Sequence, residues 1–265
     1  MTKLAANCSL LFTEYPLPSR PDAARKSGFD AIEFWWPFPT AAPSSRDVAE
    51  FCTAVEQSGL PLIGLNFFAG DTSQGDRGVL SWTGREVEFR DNVDVVIAIA
   101  ERLGTRAFTA LYGNRLDGVS FGAQRETALE NLDYAAAALE KIGGSVLLEP
   151  LSSSPRYPLL AAGDVVNVID EFEAATHRRN VSLLADVYHL KVNGYDPVTE
   201  LLTYRDRVGH VQVADAPGRH EPGTGTIDFE AILATLDQIG YDSWVAAEYV
   251  PSGATADGLG WLGTW

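Results

Sequence analysis

Eight short runs of apolar and β-branched residues recur along the chain at nearly regular intervals. They cover Leu4–Phe12, Ala31–Trp36, Leu62–Phe67, Ala107–Leu111, Val146–Leu151, Val181–Val187, Val208–Val213 and Trp244–Tyr249. Each run has the length and the residue types of a buried β-strand. The pattern therefore predicts eight strands that are covered by other parts of the chain.

Segments with apolar residues at helical spacing lie between these runs. They predict helices over Arg46–Ser58, Glu86–Leu103, Gln124–Ile142, Asp164–Ala175 and Asp228–Ile239. Gly59, Gly104 and Gly240 follow three of them, and glycine is the usual residue just past a helix end. Strands that alternate with helices indicate a parallel sheet.

The number and length of the units favour a closed barrel. Eight units in 265 residues leave about 33 residues for each, a normal βα length. We predict a (β/α)8 TIM barrel that forms a single domain over residues 1–265. The alternative is an open doubly wound sheet, which normally carries a glycine-rich phosphate loop after its first strand. Here the first strand is followed by Thr13–Pro16, which contains no glycine.

The net charge of −16 excludes some classes of partner. Nucleic acids and anionic membranes need a basic face, and the sequence has no Lys/Arg cluster. No apolar run is long enough to span a membrane, and the N-terminus is a poor signal peptide. Cys8 and Cys52 do not suggest a disulfide framework, so we expect a cytoplasmic protein. A homo-oligomer is compatible with the sequence, which does not determine the oligomeric state.

Four consecutive predicted strands end in a side chain that offers an oxygen ligand. These side chains are Glu149, Asp186, Gln212 and Glu248, on strands five to eight. In a TIM barrel the active site lies at this end of the strands. Buried carboxylates that converge would repel each other, and a divalent cation would neutralise them. An all-oxygen set suits Mg²⁺ or Mn²⁺ better than Zn²⁺. The alternative is that each acid pairs separately with an arginine at the barrel rim.

Several longer motifs resemble the hydroxypyruvate isomerase family of xylose-isomerase-like TIM barrels. The resemblance covers nearly the whole chain and rests on Ala5–Ser9 with Phe12–Glu14, Ala24–Phe34, Arg219–Pro222 with Gly225–Asp228, and Gly258–Trp261. It implies that Glu149, Asp186, Gln212 and Glu248 hold the metal and that Glu149 and Glu248 form the acid–base pair. Ketose epimerases of the same superfamily usually have His where this chain has Gln212.

The implied activity is the interconversion of hydroxypyruvate and tartronate semialdehyde, a small-molecule reaction of carbohydrate metabolism. The proton would pass between adjacent carbons through an enediolate, with one glutamate on each side and a cation over the developing charge. A 2-oxo-tetronate isomerase or a ketose 3-epimerase could use the same site. A metal-dependent phosphodiesterase fits less well, because the chain has only four His residues and a charge of −16. A dehydratase or a non-catalytic barrel also remains open.

Two further side chains are candidates for substrate binding. His189 follows Asp186 by three residues, at the start of the sixth loop, and could donate to a substrate oxygen, although a surface or capping role is the alternative. Arg219 could clamp the substrate carboxylate, and its alternative is a solvated loop arginine. His210 is expected to point into the barrel below Gln212 as a packed partner, and His177 to lie at a solvated helix end.

Aromatic residues follow strands two and three, and a glycine-containing segment follows strand three. Trp35, Trp36, Phe38, Phe67 and Phe68 could belong either to the core or to the walls of a substrate pocket. The segment 68–83 could be a lid over the site or a plain surface loop.

Overall fold

Eight parallel strands close into a barrel in the computed structural model, which describes residues 3–265 apart from the side chain of Thr264. The strands are β1 (Lys3–Asn7), β2 (Ala31–Phe34), β3 (Leu62–Asn66), β4 (Ala107–Thr109), β5 (Ser145–Leu148), β6 (Val181–Asp186), β7 (Val208–Val213) and β8 (Trp244–Ala247). Each strand pairs with its neighbours in chain order, and β8 pairs with β1. The predicted TIM barrel is confirmed.

Helices cover the outside of the barrel. They are α1 (Arg20–Lys26), α2 (Ser45–Ser58), α3 (Glu86–Leu103), α4 (Phe121–Glu140), α5 (Ala162–Thr176), α6 (Val187–Val192), α7 (Pro197–Thr203) and α8 (Phe229–Gln238). The five helices predicted from periodicity are present with small shifts at their ends. The pattern missed α1, α6 and α7 because six or seven residues carry too few apolar positions to reveal a period. Within residues 3–265, no helix has both the length and the apolar content needed to cross a membrane.

The first strand is shorter than its apolar run. The prediction of a strand over Leu4–Phe12 is wrong beyond Asn7, because the Leu10 and Leu11 amides donate to the Asn7 carbonyl and turn the chain. Leu11 and Phe12 are nevertheless fully buried, and Phe12 takes a left-handed φ of 61°. Burial of this loop therefore explains the apolar residues that resembled a strand.

The interior of the barrel changes from small apolar residues to polar ones along the strands. Ala5, Ala31 and Ala246 form a separate buried cluster inside the barrel. Two residues further along their strands, the inward positions belong to Asn7 and Glu33, which are paired in the register of β1 and β2. Side chains alternate in direction along a strand, so these polar groups occupy the layer nearest the C-terminal ends. The barrel thus brings its polar residues to the end where the candidate site lies.

The segment after β3 folds back on itself beside this end of the barrel. The Gly78 amide donates to the Ala69 carbonyl at 2.9 Å, and the Asn114 side-chain amide donates to the Gly75 carbonyl at 2.9 Å. Gly78 has a φ of +98°, and a Cβ built on it would lie 1.9 Å from the Leu111 carbonyl oxygen. The segment is therefore packed closely against the chain that follows β4.

We expect Gly78→Ala to destabilise the protein much more than Gly75→Ala. Gly75 has a similar φ of +95°, but its Cβ would meet nothing within 4 Å. Gly75→Ala should cost about 1 kcal/mol through its left-handed backbone alone. Gly78→Ala should cost at least about 2 kcal/mol more, because the Leu111 carbonyl must also move. Urea unfolding of the two variants measures both free energies, and equal losses would contradict this close packing.

Candidate active site

The four side chains predicted as ligands all come to the C-terminal end of the barrel. Glu149 and Glu248 directly follow β5 and β8, Asp186 is the last residue of β6, and Gln212 lies near the end of β7. Asp186 and Gln212 are paired in the register of β6 and β7. All four side chains are buried. The strand register therefore places them in the same polar layer.

Three of these four residues have a buried oxygen without a hydrogen-bond partner among the described residues. The unpaired atoms are Glu149 Oε1, Asp186 Oδ2 and Gln212 Oε1. An unpaired buried oxygen costs free energy, and a native structure usually satisfies it. A bound cation would satisfy all three acceptors at once. Because the donors are carboxylate and amide oxygens, the set fits a hard ion such as Mg²⁺ or Mn²⁺.

A network of hydrogen bonds beneath these residues orients the amide of Gln212. Gln212 Nε2 donates to Glu33 Oε1 at 2.7 Å, and His210 Nε2 lies 2.8 Å from Glu33 Oε2. Asn7 Nδ2 donates to Glu33 Oε1 at 2.8 Å and to Glu248 Oε2 at 3.0 Å. With its nitrogen bound to Glu33, Gln212 keeps only its oxygen for a cation. His210 has the packed, inward position that its place in the strand predicted.

The carboxylate of Glu33 stays ionised in spite of its burial. Burial alone would raise the pKa of Glu33, but the neighbouring His210 and the hydrogen bonds from Asn7 and Gln212 hold that pKa below its usual value. Glu33 and Asn7 were not predicted as site residues, because the pattern of oxygen-bearing side chains was recognised only at the ends of strands five to eight. The available signal was an acid inside the apolar run Ala31–Phe34.

His189 faces the site as a hydrogen-bond donor. The backbone N–H of Ser152 donates to His189 Nδ1 at 3.0 Å, so that nitrogen carries no proton. Burial, helped by the charges of Arg219 and Arg77, lowers the pKa of His189 well below its usual value. The neutral ring therefore holds its proton on Nε2, which lies 3.8 Å from Glu149 Oε1 and 3.7 Å from Asp186 Oδ2.

The helix that carries His189 begins at the site itself. Asp186 Oδ1 accepts from the Tyr188 amide at 2.7 Å and from the His189 amide at 3.3 Å, which caps α6. One ligand atom from each of Glu149, Asp186 and His189 lies within 4.8 Å of the other two. His189 was predicted as a substrate donor and not as a ligand. Its buried position excludes the surface role considered for it.

Arg219 lies at the same centre and compensates part of its negative charge. Its Nη2 contacts Glu248 Oε1 and lies 3.7 Å from Asp186 Oδ2. The guanidinium carbon lies 6.0 Å from the centre of the Trp35 ring and 5.4 Å from that of Tyr188. Arg219 also takes a left-handed φ of 59°, and its buried Nε has no hydrogen-bond partner among the described residues. It is therefore not a solvated loop arginine.

The ion pairs at the site do not fit the alternative that each acid pairs with its own arginine. Glu248 pairs with Arg219, and Asp186 shares that guanidinium at longer range. Glu149 has no arginine within 4 Å among the described residues, and its Oε1 stays unpaired. One guanidinium cannot balance three carboxylates, so separate ion pairs do not account for this arrangement.

The three acids hold protons more tightly than exposed carboxyl groups. Burial raises the pKa of Glu149 well above its usual range, and the charges of Glu248 and Asp186 raise it further. Burial also raises the pKa of Asp186 to about 6 and that of Glu248 to about 8, although Arg219 lowers both. Without further positive charge, the site therefore favours partly protonated acids.

A cavity of about 720 Å³ opens above these residues. Glu149, His189, Arg219 and Glu248 line its floor, and segments after β3 and β5 form part of its wall. Its aromatic lining consists of Trp35, Trp36, Phe38, Phe68 and Tyr188. Phe67 belongs to the core instead, where its ring centre lies 5.5 Å from that of Phe89. Most of the aromatic residues considered for either role thus face the cavity.

The chain is similar in sequence along nearly its whole length to a known protein family and to several curated proteins. The family model described as xylose isomerase-like TIM barrel matches residues 21–265. A protein of Streptomyces coelicolor, provisionally named hydroxypyruvate isomerase, is 46% identical over 97% of this chain and 94% of its own length. The hydroxypyruvate isomerase of Escherichia coli is 32% identical over 99% of this chain and 98% of its own.

Two other matches broaden the comparison. A 2-oxo-tetronate isomerase of Cupriavidus necator is 33% identical over 99% of this chain and 98% of its own. A crystal structure described as an AP endonuclease of family 2 from Brucella melitensis superposes with a TM-score of 0.90 at 33% identity. That superposition covers 100% of this chain and 99% of the other. The same fold therefore occurs under names that imply different reactions.

We expect the metal-free protein to lose stability as the pH rises from about 5 to about 9. The folded state raises the pKa values of Asp186 to about 6 and of Glu248 to about 8, so protonation favours folding. This stabilisation is fully present below the usual pKa of each acid and is lost as the pH rises through the raised value. Thermal unfolding in EDTA across this range measures the effect.

The variant Glu248→Gln provides the control for this pH dependence, because its amide cannot ionise. Its unfolding temperature should fall less steeply than that of the wild type between about pH 7 and 9. Identical slopes for the two proteins would show that Glu248 is not the group responsible.

Proposed function

Because the chain belongs to the xylose isomerase-like TIM barrel family, we propose that it is a metal-dependent isomerase that interconverts hydroxypyruvate and tartronate semialdehyde. The resemblance to hydroxypyruvate isomerases that the sequence indicated is confirmed by relatives at 46% and 32% identity. Those relatives and the 2-oxo-tetronate isomerase support an isomerase of this kind. The reaction would move a proton between adjacent carbons through an enediolate.

The observation that carries the proposal is the set of unpaired buried oxygens on Glu149, Asp186 and Gln212, of which Glu149 lines the cavity. Together with Glu248 they would hold one Mg²⁺ or Mn²⁺. When bound, the ion would stabilise the negative charge that develops on the substrate oxygens, an effect worth several kcal/mol. It would also lower the pKa values of the adjacent glutamates and keep them ionised near neutral pH.

The two glutamates would transfer the proton. Glu149 and Glu248 both line the cavity, and their strands β5 and β8 are separated by β6 and β7. They therefore approach a substrate between them from different directions. One carboxylate would remove the proton from C3 of hydroxypyruvate, and the other would deliver a proton to C2. Positioned acid–base groups of this type accelerate reactions by about 10²–10⁴-fold.

His189 and Arg219 would bind and orient the substrate. The proton on His189 Nε2 can be donated to a substrate oxygen, and Ser152 holds the ring in the orientation that this requires. Arg219 has one nitrogen engaged by Glu248 and Asp186, so donation to the substrate would use its remaining nitrogens. A bidentate clamp that uses both sides of the guanidinium is therefore less suitable here than a single donor.

A 2-oxo-tetronate isomerase is the second candidate function, and the volume of the cavity is compatible with its larger substrate. A three-carbon acid fills only a small part of about 720 Å³, so a fourth carbon can be accommodated without rearrangement. The proton transfer would use the same residues. A ketose 3-epimerase would also use them, on a neutral substrate. A phosphodiesterase is disfavoured because His189 is the only histidine that lines the described cavity and the net charge is −16.

We expect purified protein with Mg²⁺ or Mn²⁺ to isomerise hydroxypyruvate and to lose this activity in EDTA. If the second candidate function is correct, a 2-oxo-tetronate should react more rapidly than hydroxypyruvate. In D₂O the product should acquire deuterium at the carbon that receives the proton, which NMR detects. The same assays are run with ketoses and with an oligonucleotide that contains an abasic site. Turnover of ketoses alone, cleavage of the oligonucleotide, or full activity in chelator would contradict the proposal.

We expect Glu149→Gln and Glu248→Gln each to lower turnover by about 10²-fold or more, because an amide cannot transfer the proton. Deuterium incorporation from D₂O measures this step directly. Glu173→Gln is the matched control, since Glu173 is a buried carboxylate that pairs with Arg179 and Arg207 and does not line the cavity. Near-normal exchange in either site variant would show that its glutamate does not transfer the proton.

A further inference from the structure

Arg77 has a cationic side chain in the cavity that no carboxylate neutralises. Three arginines line the described cavity: Arg77, Arg85 and Arg219. Arg219 contacts Glu248, and Arg85 pairs with Glu88 and lies 3.8 Å from Asp76. Arg77 forms no ion pair with any described residue. A cation in this position is available to an anionic ligand.

The side chain of Arg77 is held in place by neutral groups. Its Nη1 donates to the Asp76 carbonyl at 2.7 Å and to the Thr72 carbonyl at 3.3 Å. These contacts use one nitrogen, so the rest of the guanidinium remains available for an anion. The next residue is Gly78, whose close approach to the Leu111 carbonyl fixes the backbone at this point. The position of Arg77 is therefore set before a ligand arrives, which lowers the entropy cost of binding.

Arg77 lies in the same cavity as the groups that are proposed to act on the substrate. Glu149, His189 and Glu248 line the same cavity as Arg77. The half-buried guanidinium also shares the cavity with Ser152, which orients the His189 ring. An anion bound to Arg77 would thus lie in the same cavity as the substrate oxygen that His189 is proposed to contact.

We propose that Arg77 forms the subsite that binds the substrate carboxylate and gives this enzyme its preference for 2-oxo acids over neutral ketoses. The inference rests on the proposed isomerase function. Arg77 would recognise the negative charge of the substrate carboxylate. Arg219 is less suited to this role, because it already contacts Glu248 and lies close to Asp186. Guanidinium and carboxylate groups form strong paired hydrogen bonds, so the subsite discriminates by charge.

The test compares hydroxypyruvate with dihydroxyacetone, which replaces the carboxylate by a neutral CH₂OH group. Arg77→Gln should lower kcat/KM for hydroxypyruvate by about 10–100-fold, mainly through KM, and should leave deuterium exchange into dihydroxyacetone within about twofold. Arg77→Lys keeps the charge and should retain most of the preference. Equal losses on both substrates, no loss on either, or equal damage in the Gln and Lys variants would overturn the subsite.

Arg85→Gln is the matched control, because it removes a cavity arginine whose charge is already paired with Glu88. Its ratio of kcat/KM for the acid to that for the neutral substrate should equal that of the wild type. A change in this ratio as large as that of Arg77→Gln would also count against the subsite.

A binding measurement separates this inference from the proposed function. By calorimetry, the wild type should bind pyruvate more tightly than neutral hydroxyacetone, and Arg77→Gln should weaken pyruvate binding at least about 10-fold. If the wild type isomerises neither substrate but this binding difference holds, the proposed function fails and the subsite stands. If both proteins isomerise hydroxypyruvate equally well, only the subsite fails.

Discussion

The burial of three carboxylates around one arginine is the constraint on which the site depends. Glu149, Asp186 and Glu248 are almost inaccessible to water, and Arg219 balances only part of their charge. Such an arrangement costs stability unless protons or a cation neutralise the acids. The raised pKa values and the unpaired oxygens are two consequences of this imbalance. The chain thus retains an electrostatically unfavourable cluster at the C-terminal end of its barrel.

The neighbouring structure keeps this cluster ordered. Glu33 receives hydrogen bonds from Asn7 and Gln212 and lies against His210, so three polar side chains satisfy its carboxylate below the acids. This network fixes the direction of the Gln212 amide and reaches Glu248 through Asn7. Buried hydrogen bonds of this kind restrict side-chain motion and hold ligand oxygens in a defined geometry. The polar layer of the barrel is therefore part of the site.

Much of the candidate site could be predicted from the geometric rule that relates the ends of parallel strands. Parallel strands end at one edge, so polar residues at the ends of strands five to eight had to meet once the barrel was accepted. The same rule would have found Glu33, an acid inside a short apolar strand. It could not assign His189 its donor nitrogen, because that depends on the amide of Ser152, which is 37 residues away in the chain. Nor could it predict that Arg219 contacts Glu248 between two aromatic rings.

The sequence by itself determined the number of strands, their order and the four oxygen-bearing side chains at their ends, because these follow from local periodicity. It misjudged the end of β1, since buried loop residues are as apolar as strand residues. Only the tertiary structure decided which oxygens stay unpaired, which arginine is neutralised and which remains free. Those properties depend on distances between side chains that are remote in the chain, and only the closure of the barrel sets such distances.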